Sequence, residues 1–522
     1  VENTGPADSP NNTQTVARNS FWFALELIFG LVATLITSVA VARVVGPVKL
    51  KNYQFLVFLT NVTVGMGAVG LASSTRKYMA ECLNCGQADV ACALYQATLR
   101  IQIWIAAAAT AISLALVVRF GDPRQMAVMV LLVAAMAPRL VATIPSQANN
   151  AAEVMRRNTG PSVAGGAVTT FLTFLGLLFL RRQPDQFLIG VAAAVAAGSY
   201  LECVWKLYSV KRWMRGVPRG TLSPELKRRI LTYSGQGLAL MLLSVVVWDR
   251  SDIVILNALN RDPAQVTFFT LAFNLADRIL MIPTSFGSSL ASTMMAQYGR
   301  GQARLKEMTV DGGRYALFLA LPLLLGMACL SPLVPLVYGE RYRPMIATLS
   351  MVAVFAIPKA LVAAPTMLLQ ATERQSFLIW WGCICGVVDI GLDFLLTPTY
   401  GANGAAVANG AGQTMGALGC WIYAWRIYHL DFKSSKFGRM LLSGVLMAAG
   451  VVAFTRALPG YVGMIGAVPV GAAIWFVALR LTGSLKPEDV GRFASVGGQL
   501  PAPFRPHWRR IVGWLVSANA AA

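Results

Sequence analysis

PRLVATIPS, residues 138–146, returns 220 residues further on as PKALVAAPT, residues 358–366, with both prolines and a cation in register. Other pairs keep nearly the same offset. Arg100 matches Arg314 at 214, and Pro47 in VVGPVKLKNYQFLVF matches Pro263 in NRDPAQVTFFTLAF at 216. Agreement at several places along so long a unit marks an internal repeat, and a repeat decides an architecture before any single motif does.

The rest of the chain shows what is repeated. Its 522 residues are 56% hydrophobic and only 13% charged, with mean hydropathy +0.59, which excludes an ordinary soluble globular protein. A helix needs roughly 20 apolar residues to cross the hydrocarbon core. Runs of that length are expected at 21–45, 53–72, 101–118, 125–150, 161–180, 187–209, 230–256, 264–293, 314–337, 345–371, 377–396, 404–425, 439–457 and 461–482. The fold class is therefore an all-α polytopic membrane protein with about 14 transmembrane helices. Spans 1–6 (20–209) form one lobe and spans 7–12 (230–428) the other, joined by the basic linker 210–229. Spans 13 and 14 (439–482) stand outside the repeat, between the lobes and a basic tail at 483–522, and residues 1–19 form an N-terminal tail. Six is even, so the lobes share one orientation and are pseudo-symmetric about an axis along the membrane normal. A central cavity between them is the parallel-repeat plan of secondary transporters.

Charge sets the topology. The break at 206–229 carries eight Lys/Arg and the break at 300–314 four, so these sides are expected in the cytoplasm, with both termini cytoplasmic. The net charge of +21 is then topology signal and attraction to anionic lipid headgroups, and no segment is long enough for a nucleic-acid-reading fold. The tail stretch FRPHWRRIVGWL, 504–515, reads either as an interfacial amphipathic helix or as a basic tail. Cys82 and Cys85 form a lone CxxC without two further ligands nearby, so reduced thiols fit better than a metal site. The polar opening VENTGPADSPNNTQ precedes a first span too long for a signal-peptide core, so no cleaved leader is expected. There is no GxxxxGK[ST], HExxH or nucleophile elbow, and the chain is expected not to be an enzyme and to need no cofactor beyond a coupling ion, H+ or Na+.

Ionisable residues inside spans are the functional candidates, because lipid tolerates them poorly. The repeat puts Arg139 and Lys359 at equivalent mid-helix places beside prolines, converging on the cavity. Arg278 in LAFNLADRILMIP is a third cation, and its neighbour Asp277 points about 100° away around the helix. Such cations either grip an anionic substrate, a guanidinium suiting phosphate, or pair with carboxylates such as Glu26 or Asp389 and hold helices together. SVVVWDRSDIVILNALN, 244–260, carries Asp249, Arg250 and Asp252, either as cavity lining or as the headgroup end of a shorter span. Asp389 and Asp393, four apart, share a helix face, as do Asp249 and Asp252, three apart. Buried acids of this kind are candidate carriers of a proton or cation. Prolines 138, 145, 283, 358 and 365 permit kinks in these helices.

Four stretches resemble a known family. VARVVGPVKLKNYQFLVFLTNVTVGMGAVGLASS, SDIVILNALNRDPAQVTFFTLAFNLA, YGERYRPMIATLSMVAVF and LDFLLTPTYGANGAAVANG are similar to the polysaccharide transporter (Wzx-type) branch of the multidrug/oligosaccharidyl-lipid/polysaccharide (MOP, MATE-like) exporter superfamily. That resemblance implies two six-helix lobes, alternating access, residence in a bacterial inner membrane, and flipping of undecaprenyl-pyrophosphate-linked oligosaccharide for cell-surface polysaccharide. Polysaccharide polymerase and assembly proteins are then partners. Fourteen spans resemble the related lipid II flippases more than the many twelve-span members. On this reading Arg139, Lys359, Arg278 and Arg250 hold the substrate, while Asp249, Asp252, Asp277, Asp389, Asp393 and Glu26 couple transport to an ion. The alternatives are a cation-coupled multidrug exporter, in which the acids bind an organic cation, and a scaffold for glycan assembly.

Overall fold

A computed structural model describes residues 10–485 apart from 153, 219, 245–250, 261, 298–301, 373 and 432–435. It divides into two units, Val1–Val246 and Val247–Ala522. The boundary falls inside the expected seventh span. Among the described residues the regular structure is entirely helical. Twelve described helical segments are long and apolar enough to cross a membrane, and the chain is a multi-pass membrane protein.

The first unit holds α1 (Pro10–Val45), α2 (Pro47–Gly67), α3 (Ser73–Asn84), α4 (Ala88–Phe120), α5 (Met126–Ala151), α6 (Arg156–Leu180), α7 (Pro184–Trp213) and α8 (Pro224–Ser244). Gly46, at φ 79°, supplies the left-handed residue that separates α1 from α2, and Pro47 then begins the next helix where its missing N–H costs nothing. A single π-helical turn, Ala68–Ala72, links α2 to α3 and packs against α8. Helices α6 and α7 approach closely through glycine: the carbonyl of Gly165 lies 2.5 Å from where a Cβ on Gly198 would stand. Small residues at such contacts let membrane helices pack backbone to backbone.

The second unit holds α9 (Ser251–Leu259), α10 (Pro263–Gln297), α11 (Gln302–Leu330), α12 (Val334–Tyr338), α13 (Met345–Leu361), α14 (Ala363–Ala371), α15 (Gln375–Tyr400), α16 (Ala402–Tyr428), α17 (Phe437–Ala457) and α18 (Tyr461–Thr482). Asp262 caps α10, accepting from the Ala264 N–H at 3.0 Å. Helix α16 is 27 residues long but rich in Gly, Ala and Asn, and much of it is buried among α13, α15 and α10. The pair α17–α18 packs on α11 through a core that includes Leu317, Leu321, Met447 and Trp475.

The expected tenth span is two helices. Pro365 has no N–H to give to the Leu361 carbonyl, and the chain breaks at Val362, between α13 and α14. The freed carbonyl is not left bare, because the Trp421 indole of α16 donates to it at 3.1 Å. Membrane helices tolerate proline when a neighbour re-satisfies the backbone in this way. Trp421→Phe keeps an aromatic side chain but removes the donor and part of the ring, so it is expected to destabilise the unit by at least about 1–2 kcal/mol, the cost of one buried unsatisfied carbonyl. A thermal unfolding midpoint indistinguishable from that of the unaltered protein would contradict this.

Candidate functional site

Both repeated cations sit on proline-bearing helices, and each meets a polar partner on a neighbouring helix of its own unit. In the first unit, Nη2 of Arg139 on α5 donates to Oδ1 of Asn61 on α2 at 2.7 Å. In the second, Nζ of Lys359 on α13 lies 3.9 Å from Oδ1 of Asp277 on α10 and 5.4 Å from the Phe273 ring centroid. The partners are themselves equivalent: Asn61 and Asp277 are 216 residues apart, the offset that relates Pro47 to Pro263. Each copy therefore carries a cation with a short polar partner at one repeated position. The partner is a neutral amide in the first copy and a carboxylate in the second.

Around Lys359 and Asp277 lies a recess of about 10 Å³, roughly what one water occupies. Phe273, Leu280 and Phe355 give it apolar walls, while Asn409 and Gln413 of α16 supply amides. These amides continue into a second polar group. Gln413 Nε2 donates to Asn409 Oδ1 at 2.7 Å, and Asn409 Nδ2 donates to Asp252 Oδ2 at 2.9 Å. Asp252, Asp389 and Asp393 are all at most 1% exposed. Thr397 donates to Asp393 at 3.1 Å, and α9, which carries Asp252, packs against α15, which carries Asp389 and Asp393. Both oxygens of Asp389, and one each of Asp252 and Asp393, find no hydrogen-bond partner among the described residues. Buried oxygens in that state are costly unless something arrives to satisfy them. Among the described residues no cluster of His, Cys, Asp and Glu is arranged to hold a metal ion.

The remaining candidates are dispersed. Arg278 is exposed on α10, one residue from Asp277 but outside the recess. Glu26 on α1 accepts from Thr159 of α6 at 3.3 Å in the first unit. Asp249, Arg250 and the basic tail lie outside the described residues. Cys82 is buried and Cys85 exposed, both as free thiols. Three polar features escape a reading of the sequence by hydropathy. Asn61, Asn409 and Gln413 carry no charge to mark them. Lys206, which the sequence places in a cytoplasmic break, is buried on α7 and pairs with Glu202 at 2.6 Å, where Ser162 also donates to the carboxylate. Arg314 is buried on α11 with Asp311 at 3.2 Å. An i,i+4 or i,i+3 spacing of opposite charges is the signal that finds the last two.

No protein-family model and no curated protein sequence matches the chain. Solved structures do. The chain is similar to "Lipid II flippase MurJ, inward closed conformation", with 13% identity and a TM-score of 0.65, over 89% of this chain and 98% of that one. It is similar to the inward-facing conformation of a multidrug resistance MATE family transporter of the MOP superfamily, with 15% identity and a TM-score of 0.62, over 77% and 94% of the two chains. A third is a MOP superfamily transporter from Pyrococcus furiosus described as having a binding pocket of reversed polarity, with 14% identity and a TM-score of 0.59, over 79% and 96%. At these identities the comparison is one of fold, and it spans nearly all of each neighbour.

Proposed function

We propose that this chain is a secondary-transporter-type flippase of the MOP superfamily that moves a lipid-linked, undecaprenyl-pyrophosphate oligosaccharide across a bacterial inner membrane by alternating access. The observation that carries the reading is the repeated cation: Arg139 and Lys359, in equivalent places, each beside a short polar partner in its own unit. Arginine offers a pyrophosphate two parallel donors, and lysine a compact charge. Flipping breaks no bond, so the protein needs only to bind the headgroup differently in two states, by a few kilocalories. The solved flippase neighbour extends the likeness over more of this chain than the drug exporters do, which favours a pyrophosphate lipid such as lipid II or an oligosaccharide carrier as cargo.

Coupling falls to Asp252, Asp389 and Asp393, with Asn409 and Gln413 linking them to the Lys359 recess. Three buried carboxyls in one unit suit a proton as the coupling ion, since a carboxyl that takes up a proton leaves no charge buried. Asp393→Asn is expected to uncouple the protein: exchange of lipid-linked glycan down its own gradient persists, while accumulation driven by a pH gradient drops to background. Retained pH-driven accumulation would reassign coupling to another acid.

The direct test is exposure of undecaprenyl-pyrophosphate oligosaccharide at the far leaflet of proteoliposomes lacking ATP, comparing the unaltered chain with Arg139→Gln/Lys359→Gln. Exposure that requires the cations supports the flippase. Equal exposure removes the headgroup role, and export of an organic cation in its place supports the multidrug reading. Localisation with both termini cytoplasmic, and association with polymerase or assembly proteins, belong to the same proposal.

A further inference from the structure

The two amides between Asp252 and the Lys359 recess have no counterpart in the first copy. Asn409 and Gln413 stand one turn apart on α16, 6% and 3% exposed, and both line the recess. LECVWKLY, 201–208, matches LGCWIYAW, 418–425, with Cys203 on Cys420 at an offset of 217, so Ala192 and Ala196 hold the places of Asn409 and Gln413. Ile36 holds that of Asp252, at the offset of 216 that relates Pro47 to Pro263. The repeated scaffold therefore packs without this polar chain. Polar groups buried at a cost that packing does not require call for another reason.

Their hydrogen bonds run in one direction. A carboxylate can only accept, so Asn409 turns its NH2 to Asp252, at 2.9 Å. Its oxygen is then turned to Gln413, which donates to it at 2.7 Å. With its NH2 so engaged, Gln413 has its oxygen for the recess. The first group in the chain thus sets the sense of the last. A protonated Asp252 is a donor, and it suits an Asn409 turned over, oxygen toward the acid and NH2 toward Gln413. Gln413 turns over in response, and its NH2 faces the recess. Each half-turn exchanges an oxygen for an NH2 of nearly the same size, so no helix has to move. Other charges near Asp252 come from the helices packed on α9: Asp389 and Asp393 on α15, Asp277 and Arg278 on α10, and on α16 only Arg426, at its far end. Asp249 and Arg250, which precede α9, lie outside the described residues.

We propose that Asn409 and Gln413 form an amide relay through which the protonation of Asp252 decides whether the Lys359 recess offers an acceptor or a donor, and so how strongly it holds an anion. The proton comes from water, and no bond between heavy atoms changes. With Asp252 ionised, the Gln413 oxygen faces the recess, where it supports the lysine and repels a phosphate oxygen. With Asp252 protonated, the NH2 faces the recess and adds a donor beside Lys359, which favours the anion. Linkage is reciprocal, so an anion at Lys359 also favours the proton on Asp252, and the two load in the same state. That the anion is a pyrophosphate headgroup rests on the function proposed above.

Two measurements on the full chain in detergent separate the relay from the cargo. The first follows the Gln413 side-chain amide by NMR in protein carrying isotope-labelled glutamine, the signal being the one lost in Gln413→Leu. It is expected to shift with pH, and to stop shifting in Asp252→Asn and in Asn409→Leu. A signal indifferent to pH in the unaltered protein overturns the proposal, as does one that still titrates in Asn409→Leu. The second is calorimetry with inorganic pyrophosphate. Binding is expected to tighten from the alkaline to the acid end of a pH titration by about ten-fold more than in Gln413→Leu, where only the pyrophosphate's own titration remains. The same pH dependence in both proteins overturns the proposal. Pyrophosphate binding that is absent, or unaffected by Lys359→Gln, alongside a titrating Gln413 amide counts against the headgroup and not against the relay.

Discussion

Lys359→Gln is expected to cut transport of a pyrophosphate-linked glycan about a hundred-fold while leaving the protein folded. The lysine side chain is 17% exposed and stands beside Asp277, so removing its charge does more than delete an attraction. It leaves a carboxylate facing the incoming anion. Losing a charge-assisted hydrogen bond to the headgroup costs about 1.5–3 kcal/mol, and each 1.4 kcal/mol is a factor of ten. Asp277→Asn is the informative contrast, because it gives the second copy the arrangement the first already has in Arg139 and Asn61. It is expected to keep headgroup binding or strengthen it. Equal loss in both variants, measured as leaflet exposure in proteoliposomes and as headgroup binding in detergent, would make the pair a structural tie.

Gly198→Leu is expected to damage stability rather than transport chemistry. A Cβ at that position stands 2.5 Å from the Gly165 carbonyl oxygen and against the Thr169 hydroxyl. Thr169 cannot easily turn away, since its Oγ1 is bonded to the carbonyls of Gly165 at 3.0 Å and Ala194 at 3.3 Å. Helix α7 must therefore move off α6. Overpacking of a close contact costs about 3 kcal/mol or more, on the order of 5–10 °C in the unfolding midpoint of a unit this size. Gly190→Leu, where the nearest atom is a flexible Leu180 methyl at 3.6 Å, is the control and is expected to shift the midpoint little.

Much of the architecture was legible because its signals are additive along the chain. Apolar runs, breaks and the self-match of PRLVATIPS with PKALVAAPT each report on many residues at once, and the helices lie where those runs do. The split of the tenth span at Val362 was legible only in part, since prolines 358 and 365 announce a kink but not the indole that makes it tolerable. The site was half visible. Asp252, Asp389, Asp393 and Lys359 stand out as charges in apolar surroundings. Asn61, Asn409 and Gln413, which bond to Arg139, to Asp252 and to Asn409 in turn, do not, because an amide carries no charge to mark it and helix rotation is not encoded in composition. Lys206 misled for the opposite reason. A lysine near a span end looks solvated, and only Glu202 one turn earlier shows that it is not.

The difference between Asn61 and Asp277 is one of isosteres. An amide and a carboxylate are nearly the same size, so one repeated position keeps its bulk while its charge differs by a full unit. A duplicated sequence thereby acquires an electrical difference by changing an NH2 for an oxygen, and the difference is invisible to any comparison of shape alone. It emerges only when the chain is aligned against itself.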